Sequence, residues 1–265
     1  YNEQIKDCIS NLFLGKNACI LQFGPTNSGK SYTLSNPEPS DPGLIHRSLT
    51  DIFNLIEISK STATAGGNKP QKNSTVFSVK MSIFQVYNDC LNDLLSPQYS
   101  RNLTVERNFD EEENFNKNLI PELSTREIKS KKDFEIAVKE SENIRKNLAQ
   151  NLKVNDINKK SHIVTSFQIE KREKIPDGYN RLTEQCMENF AQIDFVELAD
   201  SNFGLSSQPE NGENLADDSN IEPVDDLLYR FISKTFNSVT NNILAASNGK
   251  SVKNDTKLTL ALKNT

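Results

Sequence analysis

Residues Gly24 to Ser31 read Gly-Pro-Thr-Asn-Ser-Gly-Lys-Ser and fit the pattern G-x-x-x-x-G-K-[ST]. Those residue types at that spacing suit one task, the holding of phosphate groups. Gly24 and Gly29 let the backbone turn tightly, so that successive N–H groups converge on phosphate oxygens. Lys30 brings a cation to the β- and γ-phosphates, and the Ser31 hydroxyl is placed to sit on Mg²⁺. The candidate nucleotide-binding set is therefore Gly24, Pro25, Thr26, Asn27, Ser28, Gly29, Lys30, Ser31 and Tyr32, with Ser31 as metal ligand. ATP or ADP with Mg²⁺ is the expected occupant. An eight-residue match also arises by chance in Gly/Ser turns that bind nothing, so the flanking elements carry weight.

Those elements fit. Ala18 to Phe23 is a short apolar run that reads as a buried strand, and Ser31 opens a helical turn whose N-terminus favours anions. Upstream, Ile5, Cys8, Ile9, Leu12 and Phe13 recur at helical spacing and predict a helix over 2–14, ended by Gly15. Downstream, a polar loop at 35–42 precedes a helical stripe over 44–58, and 59–75 reads as an exposed loop. Phe77, Val79, Met81 and Ile83 alternate with polar residues as a half-buried strand. Leu103–Glu106 is a candidate short strand, and Asp110–Glu113 a charged turn. Ser130 caps a predicted helix running to Gln150, with Asp133 reaching back and Phe134, Ala137, Val138, Ile144 and Leu148 on its inner face. Strands are predicted over 163–169 and 193–198, a long acidic loop over 200–223, and a helix from about Asp225 to Ala246. Strands and helices mix as in one layered α/β domain.

The 265 residues, 35% hydrophobic and 25% charged, suit one large domain or two small ones. The chain begins without Met, in what reads as the middle of a domain, and is expected to be a piece of a longer protein. No apolar run approaches the roughly 20 residues that span a bilayer, and no signal peptide is visible. Four scattered cysteines and two separated histidines make no metal-binding spacing and read as reduced thiols and isolated rings. Neither a membrane nor a nucleic-acid partner is expected. The net charge of −5 is unevenly spread: Leu182 to Tyr229 holds twelve acids and no Lys or Arg. The remainder carries 31 basic residues against the other 24 of the 36 acids. Such a run usually forms a solvated surface.

The order of motifs resembles a kinesin motor domain. Gly15–Ile20 is similar to that family's Gly-Tyr-Asn-Ala-Thr-Ile, and Gly24–Thr33 to its Gly-Gln-Thr-Gly-Ser-Gly-Lys-Thr-Tyr-Thr. Gly43–Arg47, Phe84–Asp89 and Asp93–Leu95 match Gly-Ile-Ile-Pro-Arg, Leu-Glu-Ile-Tyr-Asn-Glu and Asp-Leu-Leu. Asn155–His162 aligns with switch I, Asn-x-x-Ser-Ser-Arg-Ser-His. Asp194–Asn202 aligns with switch II, Val-Asp-Leu-Ala-Gly-Ser-Glu, and Asp255–Thr259 with Asp-Ser-Lys-Leu-Thr. The resemblance implies a P-loop NTPase-type fold, with a mixed central sheet flanked by helices on both faces. It implies a single motor-like domain over 1–265, without the family's first strand and C-terminal neck. It also implies ATP hydrolysis, partnership with tubulin or microtubule-associated proteins, and a setting in the cytoplasm at the cytoskeleton, ciliary axonemes included.

The same alignment marks departures. The resemblance implies catalytic roles for Asn155, Ser161 and Glu197, but their neighbours have changed. Asn158 and Lys159 stand where the family has two serines near Mg²⁺ and the attacking water. Lys160 and Asn202 stand where it has a paired Arg and Glu, so that ion pair is lost. Glu197 replaces the switch II Asp, and Asp200 replaces the glycine whose N–H senses the γ-phosphate. Phosphoryl transfer depends on positioning and charge stabilisation, so the rate is expected to fall by several powers of ten. The acidic segment after switch II would also repel the acidic surface of tubulin. Three readings are open: a degenerate kinesin serving as a structural or docking part, a working motor with unusual switches, or another P-loop NTPase similar by convergence. Direction of movement and oligomeric state cannot be read from these residues.

Overall fold

Alternating apolar side chains build the long strands at the centre of the fold, and a computed structural model describes residues 1, 3–64, 75–96, 102–105, 120–176, 182–201, 226–253 and 255–263. The elements in order are α1 (Ile5–Leu12), β1 (Ala18–Gln22), α2 (Lys30–Ser35), α3 (Leu44–Thr64), β2 (Val76–Tyr87) and β3 (Cys90–Asp93). They continue with β4 (Arg126–Glu127), α4 (Lys131–Leu152), β5 (His162–Pro176), β6 (Leu182–Glu197), α5 (Asp226–Ser247) and α6 (Lys257–Ala261).

The sheet runs β1-β6-β5-β2-β3, with β4 also paired to β2. Among the described strands only β1 and β6 are parallel; β5, β2, β3 and β4 join antiparallel, so the sheet is mixed. Successive strand residues point to opposite faces, and both faces are covered. Val79, Met81, Ile83, Phe167, Ile193 and Phe195 pack with Ile9, Leu34, Leu49, Ile52, Phe134 and Ala137 from α1 to α4. Phe84, Val86, Val164 and Val196 pack with Val239 of α5 and Leu258 and Ala261 of α6. Each large apolar side chain among these contributes about 1.5–3 kcal/mol on full burial.

Two strand ends lie side by side. The register sets Gln22 opposite Glu197, so parallel β1 and β6 finish together. In open α/β sheets, ligands gather at the carboxyl ends of parallel strands. At the start of α4 the cap forms as expected: Asp133 N–H donates to Ser130 Oγ at 3.3 Å, and Lys129 N–H to Asp133 Oδ2 at 3.0 Å. Phe134, Ala137 and Leu148 are buried, while Val138 and Ile144 are partly buried against the core.

Several expectations need correction. The segment 59–64, expected as loop, is helical, because α3 continues to Thr64; Ser59 and Ser61 fold their hydroxyls onto Leu55 O and Ile58 O, and 65–74 lies outside the described residues. Leu103–Val105 forms no strand, although Leu103 N–H donates to Leu91 O at 2.8 Å. The run before the phosphate loop is not fully buried: Cys19 is exposed and its neighbours half-buried, since β1 ends the described sheet. In contrast, β2 is buried on both faces from Met81 to Val86, where helices cover either side. The charged turn at 110–113 and nearly all of the acidic loop at 200–223 lie outside the described residues.

Asp93 shows how one motif residue supports this framework. Its carboxylate accepts from Leu95 N (2.8 Å), Ser96 N (3.2 Å) and Ser124 N (2.8 Å), joining the end of β3 to a segment thirty residues on. Asp93→Ala is expected to destabilise the fold by about 3 kcal/mol, because it strands buried N–H groups that had a charged acceptor. Urea denaturation of both chains checks this, and a loss below about 1 kcal/mol, the worth of one ordinary hydrogen bond, would count against it.

Candidate functional site

The phosphate loop leaves β1 at Gln22 and closes into α2. Gly29 is the N-cap of α2 with φ 86°, a left-handed conformation that favours glycine. At Gly24 a Cβ would lie 2.8 Å from Ser28 Oγ, a contact that rotation of the serine hydroxyl relieves. Asn27 also takes a positive φ, 59°, which asparagine tolerates better than most residues. Lys30 is buried at 8% exposure and turns back over the loop, donating to Gly24 O and Pro25 O, each at 2.9 Å. Tyr32 leaves the cluster; its hydroxyl donates to Asp41 Oδ2 at 2.8 Å, which raises its pKa.

The end of β6 meets this loop directly. Ser31 Oγ donates to Glu197 Oε1 at 2.5 Å. Beyond Glu197 the chain stays in register: Leu198 N–H reaches Gln22 O at 3.0 Å, and Ser201 N–H reaches Gly24 O at 3.1 Å. Asp200 therefore lands on the phosphate loop. Its Oδ1 pairs with Lys30 Nζ at 2.7 Å, and its Oδ2 accepts from Thr26 Oγ1 at 2.7 Å. Ser31 and Glu197 are hard oxygen donors and fit part of a Mg²⁺ shell completed by phosphate and water.

Residues 154–161 form turns beside this cluster. Asp200 N–H donates to Lys159 O at 2.9 Å, tying the two segments through the backbone. The Lys159 ammonium faces away, paired with Asp156 Oδ2 at 2.8 Å on an exposed surface. That pairing raises the Lys159 pKa and lowers that of Asp156. Lys160 N–H donates to Ile157 O at 3.2 Å. Asn155 and Asn158 are exposed, and Asn158 lines a cavity of about 680 Å³ shared with Ser31 and Glu197. Ser161 is buried, donates to Ile157 O at 2.5 Å and accepts from Arg145 Nη2 at 3.1 Å. The structure thus gathers Gly24, Thr26, Lys30, Ser31, Glu197, Lys159 (through its backbone) and Asp200. It sends Tyr32 and the Lys159 side chain elsewhere, and Asn202 lies outside the described residues.

Motif and spacing do not single out Arg145. It sits on the inward stripe of α4, between Ser141 and Leu148, so a cation on an otherwise apolar or small face is the available signal. Burial lowers its pKa to about 10, against attraction by Glu197 and Glu142, and it stays charged at neutral pH. Its Nε is buried and has no hydrogen-bond partner among the described residues.

His162 begins β5 at the base of the site. Its Nδ1 accepts from Ala199 N at 3.0 Å, so Nε2 carries the proton, and the ring lies edge-on to Phe236. Burial pushes its pKa from 6.5 down to about 4. The folded chain binds this proton less tightly than the unfolded chain. Stability is therefore full above pH 6.5 and falls toward pH 4, by about 3 kcal/mol in total. Urea midpoints between pH 7 and 4.5 check this; His162→Gln is expected to flatten the profile, and an unchanged slope would refute the assignment.

A glycine-bounded loop between a parallel strand and a helix, with a second strand end supplying oxygens beside its lysine and serine, defines a P-loop NTPase fold. The chain belongs to the kinesin motor domain family, whose profile matches residues 1–265. Among curated relatives, Kinesin-like protein KIF22 of Danio rerio is 30% identical over 131 residues, covering 49% of this chain and 18% of the relative. Kinesin-related protein 11 of Dictyostelium discoideum is 22% identical across the whole chain and 34% of its own length. A solved structure of a fast kinesin superposes with a TM-score of 0.69 at 21% identity, covering 99% of this chain and 64% of that one. A kinesin motor ATPase studied through mutants gives 0.67 at 18% identity, covering 99% and 66%. The chain thus spans a fifth to a third of those curated relatives and about two thirds of the solved motors.

Proposed function

We propose that this chain is a kinesin-like, nucleotide-holding unit of a microtubule assembly, a structural or docking part with weak or absent ATPase activity. On this reading residues 1–265 act as one motor-like unit, in the cytoplasm at the cytoskeleton. The observation that carries it is the buried contact of Lys30 with Asp200, at a position where the family's alignment has glycine. The substitutions around it point the same way: the Lys159 ammonium is held by Asp156 and offers no acceptor to orient water.

The phosphate loop and Lys30 would bind the nucleotide's phosphates, and Ser31 and Glu197 would hold Mg²⁺. When bound, Mg²⁺ neutralises charge on the phosphate oxygens. Ser161 and His162 keep the turn at 154–161 anchored to α4 and to the end of β6. These residues bind and position; none of the changed side chains supplies the hydroxyls that the resemblance assigns to catalysis, and the Asp200 N–H is taken by Lys159 O. The acidic 200–226 segment further favours weak contact with tubulin through the usual motor face.

The intact loop, with Lys30 and Ser31, and the retained Asn155, Ser161 and His162 favour a second reading, a working ATP-driven motor. Steady-state ATPase assays of the full chain separate the two. Turnover below about 1 s⁻¹, under the range of ordinary enzymes, and no microtubule stimulation are expected. A rate at or above that with stimulation identifies a motor.

A further inference from the structure

Lys30 has three N–H donors, and all three have partners inside the protein: Asp200 Oδ1 at 2.7 Å, Gly24 O at 2.9 Å and Pro25 O at 2.9 Å. The Asp200 carboxylate is satisfied on its other oxygen by Thr26 Oγ1. Both side chains of the ion pair are 8% exposed. Two backbone bonds, Asp200 N–H to Lys159 O and Ser201 N–H to Gly24 O, hold the carboxylate there from either side. An internal anion thus already sits on the cation that the motif provides for phosphate.

The three acceptors on Lys30 are not equivalent. Displacing a neutral carbonyl from an ammonium costs less than displacing a buried carboxylate, which would be left without a cation. A ligand phosphate therefore exchanges first with the carbonyls of Gly24 and Pro25. A further phosphoryl group brought to the same ammonium meets the Asp200 charge, and two anions sharing one site in a low-dielectric setting repel. We propose that Asp200 is a specificity-determining residue: it occupies the P-loop lysine, disfavours a terminal phosphoryl group, and makes this a site for nucleoside diphosphate over triphosphate. The inference rests on the nucleotide-binding reading above and names the ligand class of that same site.

The test is titration calorimetry of the full chain with Mg²⁺ and either ADP or a non-hydrolysable ATP analogue. Wild type, Asp200→Asn and Asp200→Gly are compared. Asn keeps the shape and removes the charge. Wild type is expected to bind ADP at least about tenfold more tightly than the analogue, and Asp200→Asn to tighten the analogue about tenfold while shifting ADP less than about threefold. Equal wild-type affinities, or parallel gains for both ligands in the variants, overturn the proposal while leaving nucleotide binding intact. If folded wild type and variants bind neither ligand, the nucleotide-binding reading fails and this inference with it. Should a variant not fold, as judged by circular dichroism, the wild-type preference decides alone.

Discussion

Replacing Lys30 with alanine is expected to weaken ADP binding by about a hundredfold or more and, separately, to cost the unliganded chain about 3 kcal/mol of stability. The first effect follows from the phosphate loop: truncating one partner of a desolvated charge contact leaves phosphate without its cation. The second follows from the tertiary structure. Without Lys30, the Asp200 carboxylate remains buried with Thr26 Oγ1 as its side-chain donor, and a buried unpaired charge is among the costliest single changes. The two effects separate in the double variant. Lys30→Ala with Asp200→Asn is expected to recover most of the lost stability and none of the affinity. Calorimetry measures the affinity and urea denaturation the stability. Unchanged ADP affinity in Lys30→Ala would remove the loop from the binding site, and an additive double variant would show that Lys30 and Asp200 do not depend on each other.

Restoring the family's residues at all six altered switch positions is expected to raise ATP turnover by about a hundredfold or more, whereas any one reversion changes it by less than about tenfold. The set is Asn158→Ser, Lys159→Ser, Lys160→Arg, Glu197→Asp, Asp200→Gly and Asn202→Glu. Groups that act as a unit give non-additive losses. Asp200→Gly alone frees Lys30 but supplies no water-orienting hydroxyl. Lys159→Ser alone supplies the hydroxyl while Asp200 still holds the lysine. Shortening Glu197 alone moves its carboxylate away from Ser31 Oγ, which it now meets at 2.5 Å. Steady-state phosphate release by wild type, each single variant and the sixfold variant is the measurement, with circular dichroism establishing that each chain is folded. A single reversion matching the sixfold gain, or a folded sixfold variant at the wild-type rate, would remove the switch substitutions as the cause.

The local features were legible because their causes are local. The Gly24–Ser31 pattern is eight adjacent residues, and the conformation it needs appears at Gly29 and Asn27. The Ser130 cap depends on residues three apart, and the alternation at Phe77–Ile83 is a property of one strand. Element ends were less legible. Nothing between Ser59 and Thr64 forbids a helix, and the polar composition that suggested a loop is tolerated because serine hydroxyls bond back to the preceding turn. The double burial of β2 depends on α5 and α6, more than a hundred residues away, and alternation within one strand carries no information about them.

The sequence by itself determined the phosphate loop, the α/β class, the family, and the fact that position 200 carries an acid where glycine is expected. It did not determine what that acid does. Asp200 and Lys30 are 170 positions apart, and they meet because parallel β1 and β6 end side by side, with Gln22 opposite Glu197. Only that register converts the replacement of a phosphate-sensing glycine into an ion pair with the lysine meant for phosphate. Arg145 is similar: its charge was visible in the sequence, but its approach to Ser161 depends on how α4 packs against the sheet. Electrostatic roles of this kind belong to distances of a few ångströms between remote segments, and those distances are set by tertiary packing.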